Sequence, residues 1–181
     1  AKIALSYAQQ ASFQIEPARD TLLLAVEKHP DNALAWARLG ELWLMLGETD
    51  RANEAASKAA LLAPDLARAH LVSGFAALAE FRNAAARSAF ERAIQLGSAD
   101  PLAHLGLGLA EISDGKFEKG RAELEIAVGL DSSVSLLRAY LGKAYFEEKR
   151  ASLAARQYSI AKTLDPLDPT AYLYDGILKQ T

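Results

Sequence analysis

Between Leu66 and Phe81 the chain reads LARAHLVSGFAALAEF, with two stripes at helical spacing. His70, Ser73, Gly74 and Ala77 form a mostly small stripe, while Leu71, Phe75 and Leu78 form a bulky apolar one. Steps of three and four residues place each set on one face of an α-helix, the two faces turned by roughly 130° at 100° per residue. Around this stretch the pattern predicts helix pairs. A first helix runs from about two residues before Trp36 to about Leu46, with a break at Gly47. A second runs from about Asp50 to Leu62, where Ala63 and Pro64 stop it. Proline cannot continue a helix and disfavours helical geometry in the residue before it. Pro30, Pro64 and Pro166 therefore mark the ends of second helices. Ser98 and Ser132 take that slot in the middle of the chain, where Gly97 and Pro101, and the run Asp131 to Ser133, end the helices instead.

The pairs recur in phase. Ser6, Gly40, Gly74, Gly108, Gly142 and Gly176 lie 34 positions apart, as do Ala25, Ala59, Ala93, Ala127 and Ala161. Ala18, Ala52, Ala86, Gly120 and Ala154 keep the same step, and so do Leu22, Ala56, Phe90, Leu124 and Tyr158. Such a period is the signature of stacked two-helix units. The unit Ala33 to Leu66, through Trp36, Leu39, Gly40, Trp43, Ala52, Ala59 and Pro64, resembles the tetratricopeptide repeat (TPR). Ser135 to Asp168 resembles it through Leu141, Gly142, Tyr145, Ala154, Tyr158, Ala161 and Pro166. The two units between depart from it: His70 and His104 replace the large first residue, Ser73 the leucine, Ala77 and Glu111 the aromatic, and Gly120 an alanine. The resemblance implies an all-α, right-handed superhelical solenoid of antiparallel helix pairs. Its divisions would be a partial repeat at 1–32, full repeats at 33–66, 67–100, 101–134 and 135–168, and an unpaired first helix at 169–181. That last helix carries Tyr172, Leu173, Ile177 and Leu178, which reads as an uncapped end and hence a route to self-association in an excised piece of a longer array.

Composition narrows the function classes. A hydrophobic share of 51% in 181 residues is that of a folded chain. With 20 basic against 23 acidic residues and a net charge of -3, there is no electrostatic footprint for nucleic acid. No apolar run approaches the roughly 18 residues of a membrane span. The absence of cysteine excludes disulfides and thiolate chemistry and leaves cytoplasm and bacterial periplasm equally compatible. The run from Leu164 to Thr181 resembles a segment of large exported bacterial proteins in which a TPR array sits before an outer-membrane barrel; that resemblance implies a periplasmic location.

Reactive constellations are sparse. His70 and His104 share a register, yet two imidazoles without a carboxylate in that register are too few for zinc, so they read as replacements for the large aromatic. His29 stands at a helix end. The segment SDGKFEKGR, Ser113 to Arg121, lacks the ending and preceding strand of a phosphate loop and reads as a turn with Gly115 left-handed. Arg82, Arg87 and Arg92, and Glu147 with Glu148, read as solvated helix surface. The expectation is therefore no enzyme, no metal and no cofactor.

The TPR resemblance further implies that first helices line a concave face and meet partners through the second, fifth, ninth and twelfth places of each unit. Here these include Leu34 and Glu41; Arg68, Leu71, Phe75 and Leu78; Leu102, Leu105, Leu109 and Ile112; Leu136, Lys143 and Phe146; then Leu173 and Ile177, with Ile3 and Tyr7 continuing upstream. The Lys, Asn and Arg clamp with which some TPR domains hold a C-terminal carboxylate does not match these places. A groove of Leu, Phe and Ile favours an amphipathic helix or an extended apolar segment of a protein partner. Arg68, Lys143 and Glu41 would orient it. The rival expectation is a structural module for assembly, between copies or against neighbouring domains.

Overall fold

The computed structural model describes residues 1–97 and 99–180; Ser98 and Thr181, named above as a helix-end slot and the end of the last helix, lie outside the described residues. Among the described residues there are eleven helices: α1 (Lys2–Ala11), α2 (Ile15–Lys28), α3 (Ala33–Met45), α4 (Thr49–Leu62), α5 (Ala67–Ala79), α6 (Asn83–Leu96), α7 (Pro101–Ser113), α8 (Phe117–Leu130), α9 (Ser135–Glu147), α10 (Ala151–Leu164) and α11 (Pro169–Leu178). The starts of α3, α5, α7, α9 and α11 are 34 residues apart, and so are those of α2, α4, α6, α8 and α10. The α3/α4 pair begins within a residue or two of the sequence expectation.

Local chemistry sets these starts. Asn32, Asp100 and Asp168 occupy equivalent places, and each side chain accepts a hydrogen bond from an N–H in the first turn: Ala35 at 3.0 Å, Leu102 at 2.9 Å and Thr170 at 2.9 Å. Such caps satisfy amides that would otherwise lack partners and contribute about 1 kcal/mol each. Pro101 and Pro169 stand at the first helical positions, where no N–H is missed.

The turn between the two helices of each pair also repeats. Phe13, Gly47, Phe81, Gly115 and Lys149 all have φ between 57° and 77°. Gly47 and Gly115 adopt this left-handed geometry freely, whereas a side chain there costs about 1–2 kcal/mol. Phe81 is 85% exposed, so no packing compensates for that cost. Phe81→Gly is therefore expected to stabilise the chain by about 0.5–1 kcal/mol once the entropy of the unfolded glycine is deducted, read as a higher urea midpoint; a lower midpoint would refute this reading.

The chain forms two compact units, Ala1–Gly97 and Ser98–Thr181. In the first, α3 packs on α2, α4 and α5 around Leu22, Val26, Leu39, Leu42, Trp43 and Val72. In the second, α9 contacts α7, α8, α10 and α11, and the core gathers Leu105, Ile112, Leu124, Val128, Leu137 and Leu141. The small positions of the first helices are the contact points. A Cβ added at Gly74 would lie 2.6 Å from the Phe90 ring, and one at Gly108 would lie 2.8 Å from the Gly120 carbonyl oxygen. Gly120, the departure from the repeat pattern, is thus what allows α7 and α8 to approach this closely.

Candidate partner-binding surfaces

In the first unit the expected face carries more polar chemistry than its leucines suggest. Arg38, on α3, is only 2% exposed. Its guanidinium donates to Glu41 Oε2 at 2.7 Å, to Ser6 Oγ at 3.3 Å and to the Gln10 side-chain carbonyl, and it lies 3.8 Å from the centre of the Tyr7 ring. Arg68, on α5, reaches the same knot, donating to the Tyr7 hydroxyl and pairing with Glu41 at 3.4 Å. Three first helices are therefore joined through a charge network that is buried at Arg38 and exposed at Arg68. Among the expected apolar residues, Leu34 is 54% exposed, Phe75 and Leu78 are half-buried, and Leu71 is covered by the unit itself. Phe75 also meets Phe90 edge-on at 4.9 Å between ring centres.

In the second unit Leu105 and Ile112 are buried in the core, and Leu109 and Leu136 pack half-buried against it. Leu102 stays 39% exposed, Leu173 60% and Ile177 41%. Phe146 lines a cleft of about 480 Å³ together with Glu147, Lys149, Ala151 and Leu178. Lys143 pairs with Glu147 at 3.0 Å, one helical turn away. Each unit thus leaves part of its expected stripe open and covers the rest with its own chain.

Electrostatic perturbation concentrates at the end of the second unit. Hydrogen bonds from Lys162 and Lys179 hold the Asp175 carboxyl below its ordinary range. Burial, followed by the neighbouring Tyr140, pushes the Tyr174 hydroxyl up to about 12. At Asp168 burial works upward, but donation from Ser135 at 2.8 Å and from the Thr170 amide prevails and lowers the carboxyl. These groups fix helix ends and helix contacts.

The histidines have structural partners. Trp36 Nε1 donates to the Pro30 carbonyl at 2.9 Å, and His70 Nε2, at the equivalent place, lies 3.0 Å from the Pro64 carbonyl. Because a carbonyl only accepts, that nitrogen of His70 carries the proton. His70 thus copies the indole bond, as expected of a residue replacing the aromatic. His104 instead places Nδ1 2.8 Å from Glu123 Oε2, a carboxylate from α8 that repeat register on the first helix does not reveal. Gly115 has φ +76°, in agreement with its expected turn role. Among the described residues no group of three or more His, Asp and Glu side chains could hold a metal, and no helix is long and apolar enough to cross a membrane.

Arg38 and Gln10 are absent from the sequence-based residue set because they fall outside the expected places. The available signal was Glu41 three residues after Arg38 on one helix face.

The fold matches a thermophilic TPR protein of Thermus thermophilus with a TM-score of 0.88, at 21% identity over 99% of this chain and 98% of that one. It matches PilW, a type IV pilus biogenesis factor, with a TM-score of 0.79 at 18% identity, covering 99% and 91% of the two chains. For PilF of Pseudomonas aeruginosa the TM-score is 0.78 at 20% identity, covering 99% and 82%. No curated protein gives a significant match to the sequence. The tetratricopeptide repeat profile matches residues 4–67, 65–134 and 105–169, which together take in nearly the whole chain. With helix pairs stepping by 34 residues and profile matches spanning residues 4–169, the chain belongs to the tetratricopeptide repeat family.

Proposed function

We propose that this TPR chain is a non-catalytic scaffold whose first-helix faces hold an apolar or amphipathic segment of a protein partner. TPR arrays act generally as protein-interaction scaffolds, and the finer reading rests on one observation. Large apolar side chains stay uncovered at second, fifth and ninth places of the first helices: Leu34 at 54%, Leu102 at 39%, Leu173 at 60% and Ile177 at 41%. Each of these side chains, 39–60% exposed, leaves about half of the roughly 1.5–3 kcal/mol of full burial unrealised, which a bound apolar surface recovers. Arg68, Glu41 and Lys143, the charged members of the same expected stripes, would orient the segment.

A second reading is favoured by α11. A Cβ added at Gly176 meets nothing within 4 Å, whereas the equivalent Gly74 and Gly108 are covered by the second helices of their pairs. Tyr172 on the same helix is 49% exposed. This face would then pack on a neighbouring domain of a longer protein or on a second copy.

Leu34→Glu, Leu102→Glu and Leu173→Glu, made singly, test both readings. All three residues are exposed, so helicity by circular dichroism is expected to persist. Capture of the partner from an extract of the source organism is expected to fall at least about tenfold for Leu34→Glu and Leu102→Glu, a change of about 1.4 kcal/mol. Unchanged capture by both would sink the groove reading. Sedimentation equilibrium addresses the second: an association abolished by Leu173→Glu alone supports assembly through α11, and a strict monomer removes the copy-to-copy form.

A further inference from the structure

We propose that a cleft on the second-helix side of the first unit, floored by Trp36 and Trp43, is a separate docking site for an extended acidic segment of a protein partner. It does not depend on the first-helix groove. The cleft has a volume of about 410 Å³; Leu23 of α2 forms one wall, and Arg51, Glu54 and Lys58 of α4 form the other.

The cations carry the argument. The Lys58 ammonium lies 4.4 Å from the centre of the Trp36 ring, and the Arg51 guanidinium lies 4.8 Å from that of Trp43. Arg19 approaches Trp43 from α2 at 5.3 Å, but its charge is matched by Asp20 at 2.7 Å. Glu54 follows Arg51 by three residues and precedes Lys58 by four, the spacings at which helix ion pairs form. Neither cation takes that pair. Among the described residues Arg51 and Lys58 have no carboxylate within ion-pair distance, and both rest on indole faces instead. A cation held by a ring keeps its full charge and presents its outer side to an anion. Counting Arg51, Lys58 and Glu54, the rim carries a net positive charge above an aromatic floor.

The fold does not require this combination. The places of Trp36 and Trp43 carry Lys2 and Gln9 in the preceding pair, and His70 and Ala77, His104 and Glu111, and Arg138 and Tyr145 in the three that follow. Those of Arg51 and Lys58 carry Ala85 and Arg92, Lys119 and Ile126, and Leu153 and Ile160. Two indoles with a cation over each therefore occur at a single repeat, and the others fold without them.

Geometry sets the form of the occupant. Arg51 and Lys58 are seven residues apart on α4, about 10 Å along the axis. In the polyproline II form of an extended chain three residues make one turn and span about 9 Å, so positions i and i+3 share a face. Carboxylates there would meet both cations, with apolar residues between them.

The chain has two tryptophans, both in this cleft, so intrinsic fluorescence reads the site directly. The probe is a capped peptide with the core Glu-Leu-Leu-Glu, compared with Gln-Leu-Leu-Gln. A saturable spectral change is expected with the first peptide, weakened by salt and at least about tenfold weaker both for the second peptide and for the Arg51→Gln/Lys58→Gln double variant. Both substituted residues are exposed, and circular dichroism confirms that the variant is folded. The proposal is overturned by no saturable change up to millimolar peptide, by equal affinity for the two peptides, or by unchanged binding to the double variant. Leu34→Glu is expected to titrate like the parent, so failure here and failure of the groove reading are told apart.

Discussion

Phe90→Ala is expected to remove about 3–5 kcal/mol of stability, a large part of what a domain of this kind holds. Phe90 is completely buried, and the α5/α6 pair has little else of its size. The other buried residues of α6 are Ala86 and Ala93, and α5 offers Leu71 and Val72 among Ala69, Gly74, Ala76 and Ala77. The ring occupies the space above Gly74, whose missing Cβ would lie 2.6 Å away, and takes the edge of Phe75 at 4.9 Å. Alanine at 90 would leave a cavity walled largely by alanine and glycine, and Phe75 would lose its edge-on partner.

The preceding pair shows why position matters more than residue type. Ala56 occupies the equivalent place and is equally buried, but Trp36 and Trp43 supply volume there where α5 has His70 and Ala77. Urea unfolding followed at 222 nm checks the expectation, with Phe90→Leu losing far less than Phe90→Ala. A Phe90→Ala loss below about 1 kcal/mol would mean that the pair collapses around the gap.

These paired volumes explain which parts of the molecule could be read from the chain. Helix starts and the 34-residue phase were legible because caps, prolines and small positions act locally, within a turn or across one helix pair. The left-handed turn was legible at Gly115 and hidden at Phe13, Phe81 and Lys149, where backbone geometry is imposed by the pair and not by the residue. Leu71, Leu105 and Ile112 lie in the expected stripe, but whether a leucine on a first helix is covered depends on how far neighbouring helices overlap it. Spacing along one helix does not carry that information. The His104 contact with Glu123 and the knot around Arg38 are likewise products of packing between helices.

Arg38→Ala is expected to release α1 while the helices behind it stay folded. Ser6 is the only buried residue of α1, and the apolar anchoring of that helix comes from partly buried positions such as Ile3 against the first core. Its attachment runs through Ser6, Tyr7 and Gln10 to the Arg38 guanidinium, with a further bond from Thr21 to Gln9 at 2.9 Å. Removing one partner of a buried ion pair costs about 3–5 kcal/mol. The cost here falls below that range because Glu41 keeps Arg68 at 3.4 Å and is partly solvated. About 2–3 kcal/mol exceeds what a ten-residue helix with one buried side chain can supply by itself. Hydrogen exchange should therefore show α1 amides losing protection while those of α3 and α4 retain it. Arg38→Lys should restore only part of it, since a compact ammonium lacks the spread planar fork whose Nε and two Nη atoms reach Ser6, Glu41 and Gln10. Because α1 supplies Tyr7 to Arg68, the same variant should weaken partner capture without altering Arg68 or any of the exposed leucines. Full α1 protection in Arg38→Ala would place the attachment of this helix elsewhere.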